Sequence, residues 1–147
     1  MLSAETIALR VPAKNWDEAV RAAGQLLVKS GAAEPRYIEG MIRTVRELGP
    51  YIVIAPGVAL PHARPEDGAR HEGYALVTLA QPVAFGNPDN DPVQVVIAFC
   101  APDASAHLES LRLLAERLGQ ADFVPRLLAA KTAEEIMAYF GGNQKGR

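Results

Sequence analysis

The stretch Val93-Gln-Val-Val-Ile-Ala-Phe99 is apolar at every position but one. A strand with one solvated face alternates apolar and polar residues, whereas an unbroken run rich in β-branched residues needs cover on both faces. The segment is therefore read as a central strand of a sheet with layers on either side, and the flanking sequence supplies them. Trp16, Ala19, Val20, Ala23, Leu26 and Leu27 recur at the spacing of one helical face, with Asn15 placed to cap the start, Asp17 and Glu18 in the first turn and Gly31 as a stop. A second helix beginning at Pro35 sets Ile38, Met41, Ile42, Val45 and Leu48 on one face and ends at Gly49-Pro50, forming a helical hairpin with the first. Beyond the apolar run, Leu108, Leu111, Leu114, Ala115 and Leu118 predict a third amphipathic helix from about Ser105 to Leu118. Shorter helices follow over Asp122 to Ala129 and Thr132 to Phe140, the last opening on the capping box Thr132-Ala-Glu-Glu135.

Between the hairpin and the central strand the pattern changes. Tyr51 to His62 contains two short apolar runs, broken by Pro56-Gly57 and ended by Pro61, which read as short strands. Arg64 to Gly73 is a polar surface loop, Tyr74 to Leu79 a further strand, and Asn87 to Pro92 a turn. Helices, then strands, then helices predict an α/β fold with a sheet layered by helices, its parallel or mixed character left open. A chain of 147 residues buries roughly 70% of its unfolded surface, enough for one domain without staples. No linker or internal repeat divides residues 1–147, and Gly141 to Arg147 reads as a frayed tail.

Charge and composition remove several classes of function. Fifteen Lys plus Arg against seventeen Asp plus Glu, a net charge of -2, provide no basic excess for nucleic acid. The single cysteine, Cys100, excludes an intramolecular disulfide, suits a reducing compartment and reads as a small core residue. The first residues lack a basic region followed by an apolar run, and no stretch approaches the roughly 20 apolar residues of a membrane span, so the expectation is a cytoplasmic chain with no membrane insertion. There is no G-x-x-x-x-G-K-[ST], G-x-G-x-x-G or G-x-S-x-G motif and no paired-cysteine metal site.

Three histidines remain. His71, between Arg70 and Glu72, reads as a solvated loop residue. His62 follows an apolar strand and Pro61, whose ring stiffens the strand end; local sequence leaves a structural and a functional histidine equally open. His107, in the first turn of the third helix, points with Leu111, Leu114 and Leu118, so spacing alone favours a core histidine over one that greets an anion at the helix N-terminus. Arg46 and Arg64 offer guanidinium forks suited to a phosphoryl group, Arg46 from the last turn of the second helix beside the Ile42 and Val45 face.

The run Gly49-Pro-Tyr-Ile-Val-Ile-Ala-Pro-Gly-Val-Ala-Leu-Pro-His-Ala-Arg-Pro-Glu66 resembles the phosphorylation-site segment of enzyme IIA proteins of the mannitol/fructose class in the bacterial phosphoenolpyruvate-dependent sugar phosphotransferase system. The likeness includes the Phe85-Gly86 turn, Asp91-Pro92 and Ala101-Pro102-Asp103…His107-Leu108, and extends from about Trp16 to Phe140, so a core of about 16–140 is expected. The resemblance implies a mixed β-sheet flanked by helices on both faces. It makes His62 the acceptor of a phosphoryl group from phospho-HPr, to be passed to a cysteine of enzyme IIB beside a membrane enzyme IIC. His107 would stabilise the phosphoryl group, and Arg46 occupies the place of an arginine that lines the site. The Ala63-Arg64-Pro65-Glu66 continuation is similar to the ascorbate-type branch.

That chemistry is consistent with the residue types. A neutral imidazole can attack phosphorus and hold the group covalently, while its other nitrogen, hydrogen-bonded, fixes the tautomer. Positioning and charge neutralisation by Arg46, His107 and a helix N-terminus complete the requirement without a cofactor or protein-bound metal. A homodimer is compatible with this reading. Two alternatives stay open: a regulatory enzyme IIA-like module controlled by phosphorylation of His62, and a metal-dependent hydrolase using His62 and His107 with Asp103 or Glu109.

Overall fold

The computed structural model describes residues 2–103 and 108–140. Five strands, β1 (Ile7–Val11), β2 (Val53–Ala55), β3 (Val58–Ala59), β4 (Gly73–Val83) and β5 (Val93–Cys100), form one sheet in the order β1-β4-β5-β3-β2. The apolar run is the middle strand, as its composition requires. β5 runs antiparallel to β4, with Leu76 opposite Ile97, and parallel to β3, with Val58 opposite Val95. β1 is parallel to β4 and β2 antiparallel to β3, so the sheet is mixed.

Both faces are covered. Helices α1 (Trp16–Lys29) and α2 (Arg36–Leu48) pack Val20, Leu27, Met41 and Ile42 against Val77, Val96 and Ala98. The alternate residues Leu76, Val95, Ile97 and Phe99 meet Leu114, Phe123, Leu127 and Ile136 from α3 (Leu108–Leu118), α4 (Phe123–Ala129) and α5 (Ala133–Tyr139). The local signals operate as expected. Asn15 accepts a hydrogen bond from the Glu18 amide at 2.9 Å, and Thr132 accepts one from the Glu135 amide at 3.2 Å. Pro35 stands at the N-cap of α2, and Gly49, at φ 83°, ends it in a conformation that favours glycine.

The structure also departs from the periodicity. β1 forms a sheet edge ahead of the expected 16–140 core, and no alternation announces it. Its register shifts between Ala8 and Val11, where Arg10 takes φ 55° and donates its amide to Thr78 Oγ1 at 2.9 Å. A bulge of this kind breaks the period of two. β4 continues past Leu79 to Val83 through a second irregularity that accommodates Pro82. The expected start of the third helix at Ser105, His107 within it, and the tail Gly141 to Arg147 lie outside the described residues.

Candidate active site

β3 is only two residues long, and the chain leaves it as Leu60-Pro61-His62 alongside β5. The exit is pinned on both sides: the Leu60 amide donates to the Ile52 carbonyl at 2.8 Å, and the Phe99 amide donates to the Pro61 carbonyl at 3.2 Å. The exposed His62 ring lies on the face of Phe99, with ring centroids 4.8 Å apart and planes 20° from parallel. Its Nδ1 is 3.0 Å from the Leu60 carbonyl oxygen. A carbonyl only accepts, so Nδ1 carries the hydrogen and, in the neutral ring, Nε2 holds the lone pair. Local sequence alone left the role of His62 open; the backbone around it fixes the tautomer of the ring.

His62 borders an open cavity of about 810 Å³ that Tyr37, Arg43, Glu47, Arg64 and Phe99 also line. Arg43 Nη2 pairs with Asp67 Oδ1 at 3.0 Å, and Asp67 Oδ2 accepts the Arg64 amide at 3.3 Å. One carboxylate thus ties α2 to the turn after His62. The approach is close: a Cβ at Gly40 would stand 3.0 Å from Asp67 Cβ and 3.2 Å from Ala63 Cβ, so a larger residue there would press on the turn. The exposed Arg64 side chain makes no ion pair among the described residues. Buried Tyr37 lies beneath the loop, its hydroxyl 2.9 Å from the Ala63 amide and 2.9 Å from the Phe99 carbonyl oxygen. Burial pushes its phenol well above the usual tyrosine range.

Arg46 is not brought to this cavity. Its Nη2 lies 3.5 Å from Asp17 Oδ2 on α1, and Asp17 is also held by Arg21 at 2.6 Å. The Ile42 and Val45 face beside which Arg46 sits is the face that packs on α1 and the sheet. Three residues along a helix leave Arg43 and Arg46 about 60° apart, enough for one to face the His62 loop and the other to face α1. Arg43 and Tyr37 line the cavity beside His62, and sequence reasoning singled out neither. Their signal was the α2 face Tyr37, Gly40, Thr44 and Glu47, at helical spacing but without the apolar character of a core stripe.

His71 is exposed, its Nδ1 3.0 Å from the Glu72 carbonyl, and does not line the cavity. Cys100 is a buried core residue, and burial pushes its thiol up to about 11. Ala101 and Asp103 reach the cavity, while His107 is outside the described residues. Among the described residues no helix is long and apolar enough to cross a membrane, and no group of three or more His, Cys, Asp or Glu residues could hold a metal ion.

A strand-end histidine with a fixed tautomer, in a cavity that Arg43 and Arg64 also line, can bind an anionic group. The family model of the phosphoenolpyruvate-dependent sugar phosphotransferase system, EIIA 2, matches residues 1–142. The chain belongs to this family. It is a phosphotransferase component of sugar uptake that passes its phosphoryl group through a histidine. Over 134 residues it is 42% identical to an ascorbate-specific PTS system EIIA component of Salmonella choleraesuis, covering 90% of this chain and 86% of that one. Among solved structures it resembles the mannitol-specific cryptic enzyme IIA CmtB of Escherichia coli, with a TM-score of 0.84, 32% identity, and 96% and 95% of the two chains covered. It is similar also to the EIIA in the E. coli complex of enzyme IIA and phosphorylated enzyme IIB for mannitol, with a TM-score of 0.84, 28% identity, and 97% and 98% covered. The EIIA fold of these neighbours is the mixed sheet with helices on both faces described above.

Proposed function

We propose that this EIIA carries its phosphoryl group on His62, taking it from phospho-HPr in the cytoplasm and passing it to a cysteine of an EIIB that serves a membrane EIIC. The observation that carries the reading is the Nδ1 hydrogen bond to Leu60, which leaves Nε2 as the ring's nucleophile. The Nε2 lone pair forms the new N–P bond as the bond from phosphorus to the donor breaks, and Nδ1 keeps its proton on the Leu60 carbonyl. The acceptor cysteine then attacks phosphorus as a thiolate, and the N–P bond breaks with its electron pair returning to Nε2.

The negative charge of the group is met by Arg64 and, when it releases Asp67, by Arg43. His107 donates a further hydrogen bond to the group, the role given by the resemblance. The carbohydrate is ascorbate or a close acidic relative, a reading supported by the 42% identity to an ascorbate-specific EIIA and by the Ala63-Arg64-Pro65-Glu66 continuation.

Incubation with phosphoenolpyruvate, enzyme I and HPr should add one phosphoryl group by intact mass, acid-labile and mapped to His62. His62→Ala should lose it while keeping its circular dichroism spectrum. Undiminished labelling of that variant would overturn the assignment. His107→Ala should still be labelled but transfer slowly to EIIB, and onward transfer at full speed would remove His107 from the site.

A further inference from the structure

We infer that Tyr37 is the positioning residue of the reactive imidazole, its hydroxyl holding at once the backbone that presents His62 and the residue on which the His62 ring is stacked. This rests on the proposed role of His62 but concerns a residue to which that role assigns nothing.

Tyr37 stands in the first turn of α2 and is 1% exposed. A phenol has one hydrogen to give and lone pairs to receive with. At Tyr37 the oxygen accepts the Ala63 amide at 2.9 Å and donates to the Phe99 carbonyl at 2.9 Å, with the Ala63 carbonyl at 3.1 Å as a second, shared acceptor. Ala63 follows His62 directly, and the Phe99 ring is the surface beneath the imidazole. A single oxygen atom therefore joins the two sides of the angle at which Nε2 leaves the protein. The third constraint, Nδ1 on the Leu60 carbonyl, works only while the chain from Leu60 to Ala63 keeps its path.

The Phe99 amide already ties the Pro61 carbonyl before His62 at 3.2 Å, so Tyr37 is the link to Phe99 on the other side of the histidine, and the contacts further along do not replace it. Asp67 reaches the Arg64 amide at 3.3 Å, one residue further from the ring, and the ties of that turn to α2 and its approach, Arg43 on Asp67, Arg36 Nη1 on the Glu66 carbonyl at 2.8 Å and the Glu34 amide on the Gly68 carbonyl at 2.8 Å, all lie beyond Ala63. Gly40 lets the loop approach α2 but forms no bond to it. Without the Tyr37 hydroxyl, the buried bond to the Phe99 carbonyl and the half-buried bond from the Ala63 amide are both lost, and a small shift of the loop towards the cavity is the relief available. In-line transfer is sensitive to displacements of about 1 Å, so the consequence falls on the rate of the transfer step more than on recognition of the donor.

Tyr37→Phe removes one oxygen and retains the volume. Nitrogen-15 spectra of the histidine side chains should show His62 of the wild type as the Nδ1–H tautomer when neutral, and a mixture of tautomers in the variant. With phospho-HPr as donor, kcat for labelling should fall about tenfold or more with KM little changed. Val20→Ala, a cavity in α1 remote from the loop, supplies the control for lost stability alone and should change neither readout. In the wild type the Ala63 amide should exchange as slowly as the amides of β5, although it lies in a loop. An unaltered tautomer and kcat in Tyr37→Phe, or rapid exchange at Ala63, would overturn the proposal. A shifted tautomer in a protein whose label maps elsewhere would support the role of Tyr37 in fixing the ring and discard His62 as acceptor.

Discussion

Replacing Asp91 by alanine tests how the loop behind the site is held. Asp91 Oδ2 accepts the Gly86 amide at 2.7 Å and the Asn87 amide at 2.9 Å, and its two oxygens face the Phe85 amide at 3.0 and 3.1 Å. Hydrogen bonds to a charged acceptor contribute about 1.5–3 kcal/mol each where water is excluded. Here Gly86 is exposed and its amide finds water, while Phe85 and Asn87 are partly covered. Counting roughly 1–1.5 kcal/mol for each covered bond and about 0.5 for the exposed one gives a loss of about 3 kcal/mol. For a chain of this size that corresponds to a fall in Tm of roughly 6–12 °C.

The same loop anchors the strands that lead to His62. Asn90 Nδ2 donates to the Val53 carbonyl at 3.0 Å, and the Gly57 amide donates to the Asn90 carbonyl at 2.9 Å. Asp91→Asn, which keeps one acceptor oxygen, should lose about half as much stability. Urea unfolding followed by circular dichroism measures both. A change below about 0.5 kcal/mol in Asp91→Ala, the range of an ordinary surface substitution, would refute the reasoning.

Two further outcomes follow from the site and the core. Arg46→Ala should transfer phosphoryl groups within about twofold of the wild-type rate, because its pair with Asp17 is exposed, whereas Arg64→Ala should be slowed about tenfold by loss of a charge-assisted contact. Stopped time courses with phospho-HPr decide it, and a slow Arg46→Ala would show that the Asp17 pair opens during transfer. Cys100 in the native protein should resist iodoacetamide at pH 8, since burial favours the neutral thiol. The linkage has a definite sign: the thiol's contribution to stability is complete below the ordinary value near 9 and is lost as pH rises towards about 11. Native labelling at the rate of the unfolded chain would contradict this.

Elements governed by local physics were legible in the sequence. The helical faces of α1 and α2, their start and stop residues, and the doubly covered β5 each follow from interactions within a few residues or from a periodicity that one segment displays by itself. The Gly49 to Glu66 run likewise carried the family and singled out His62. β1 was not legible, because a bulged edge strand has neither continuous burial nor a steady period.

Only the tertiary structure decided which surface each helical face meets. Helical periodicity places Arg43 and Arg46 about 60° apart, but it does not say that α1 and Asp17 stand on one side and the loop after His62 on the other. The site has the same origin. His62 rests on Phe99 because β3 pairs parallel to β5, and Tyr37 reaches Ala63 because α2 crosses beneath that junction. Contacts between residues 26 and 62 positions apart in the chain depend on how the layers pack, and no periodicity within a single segment encodes that.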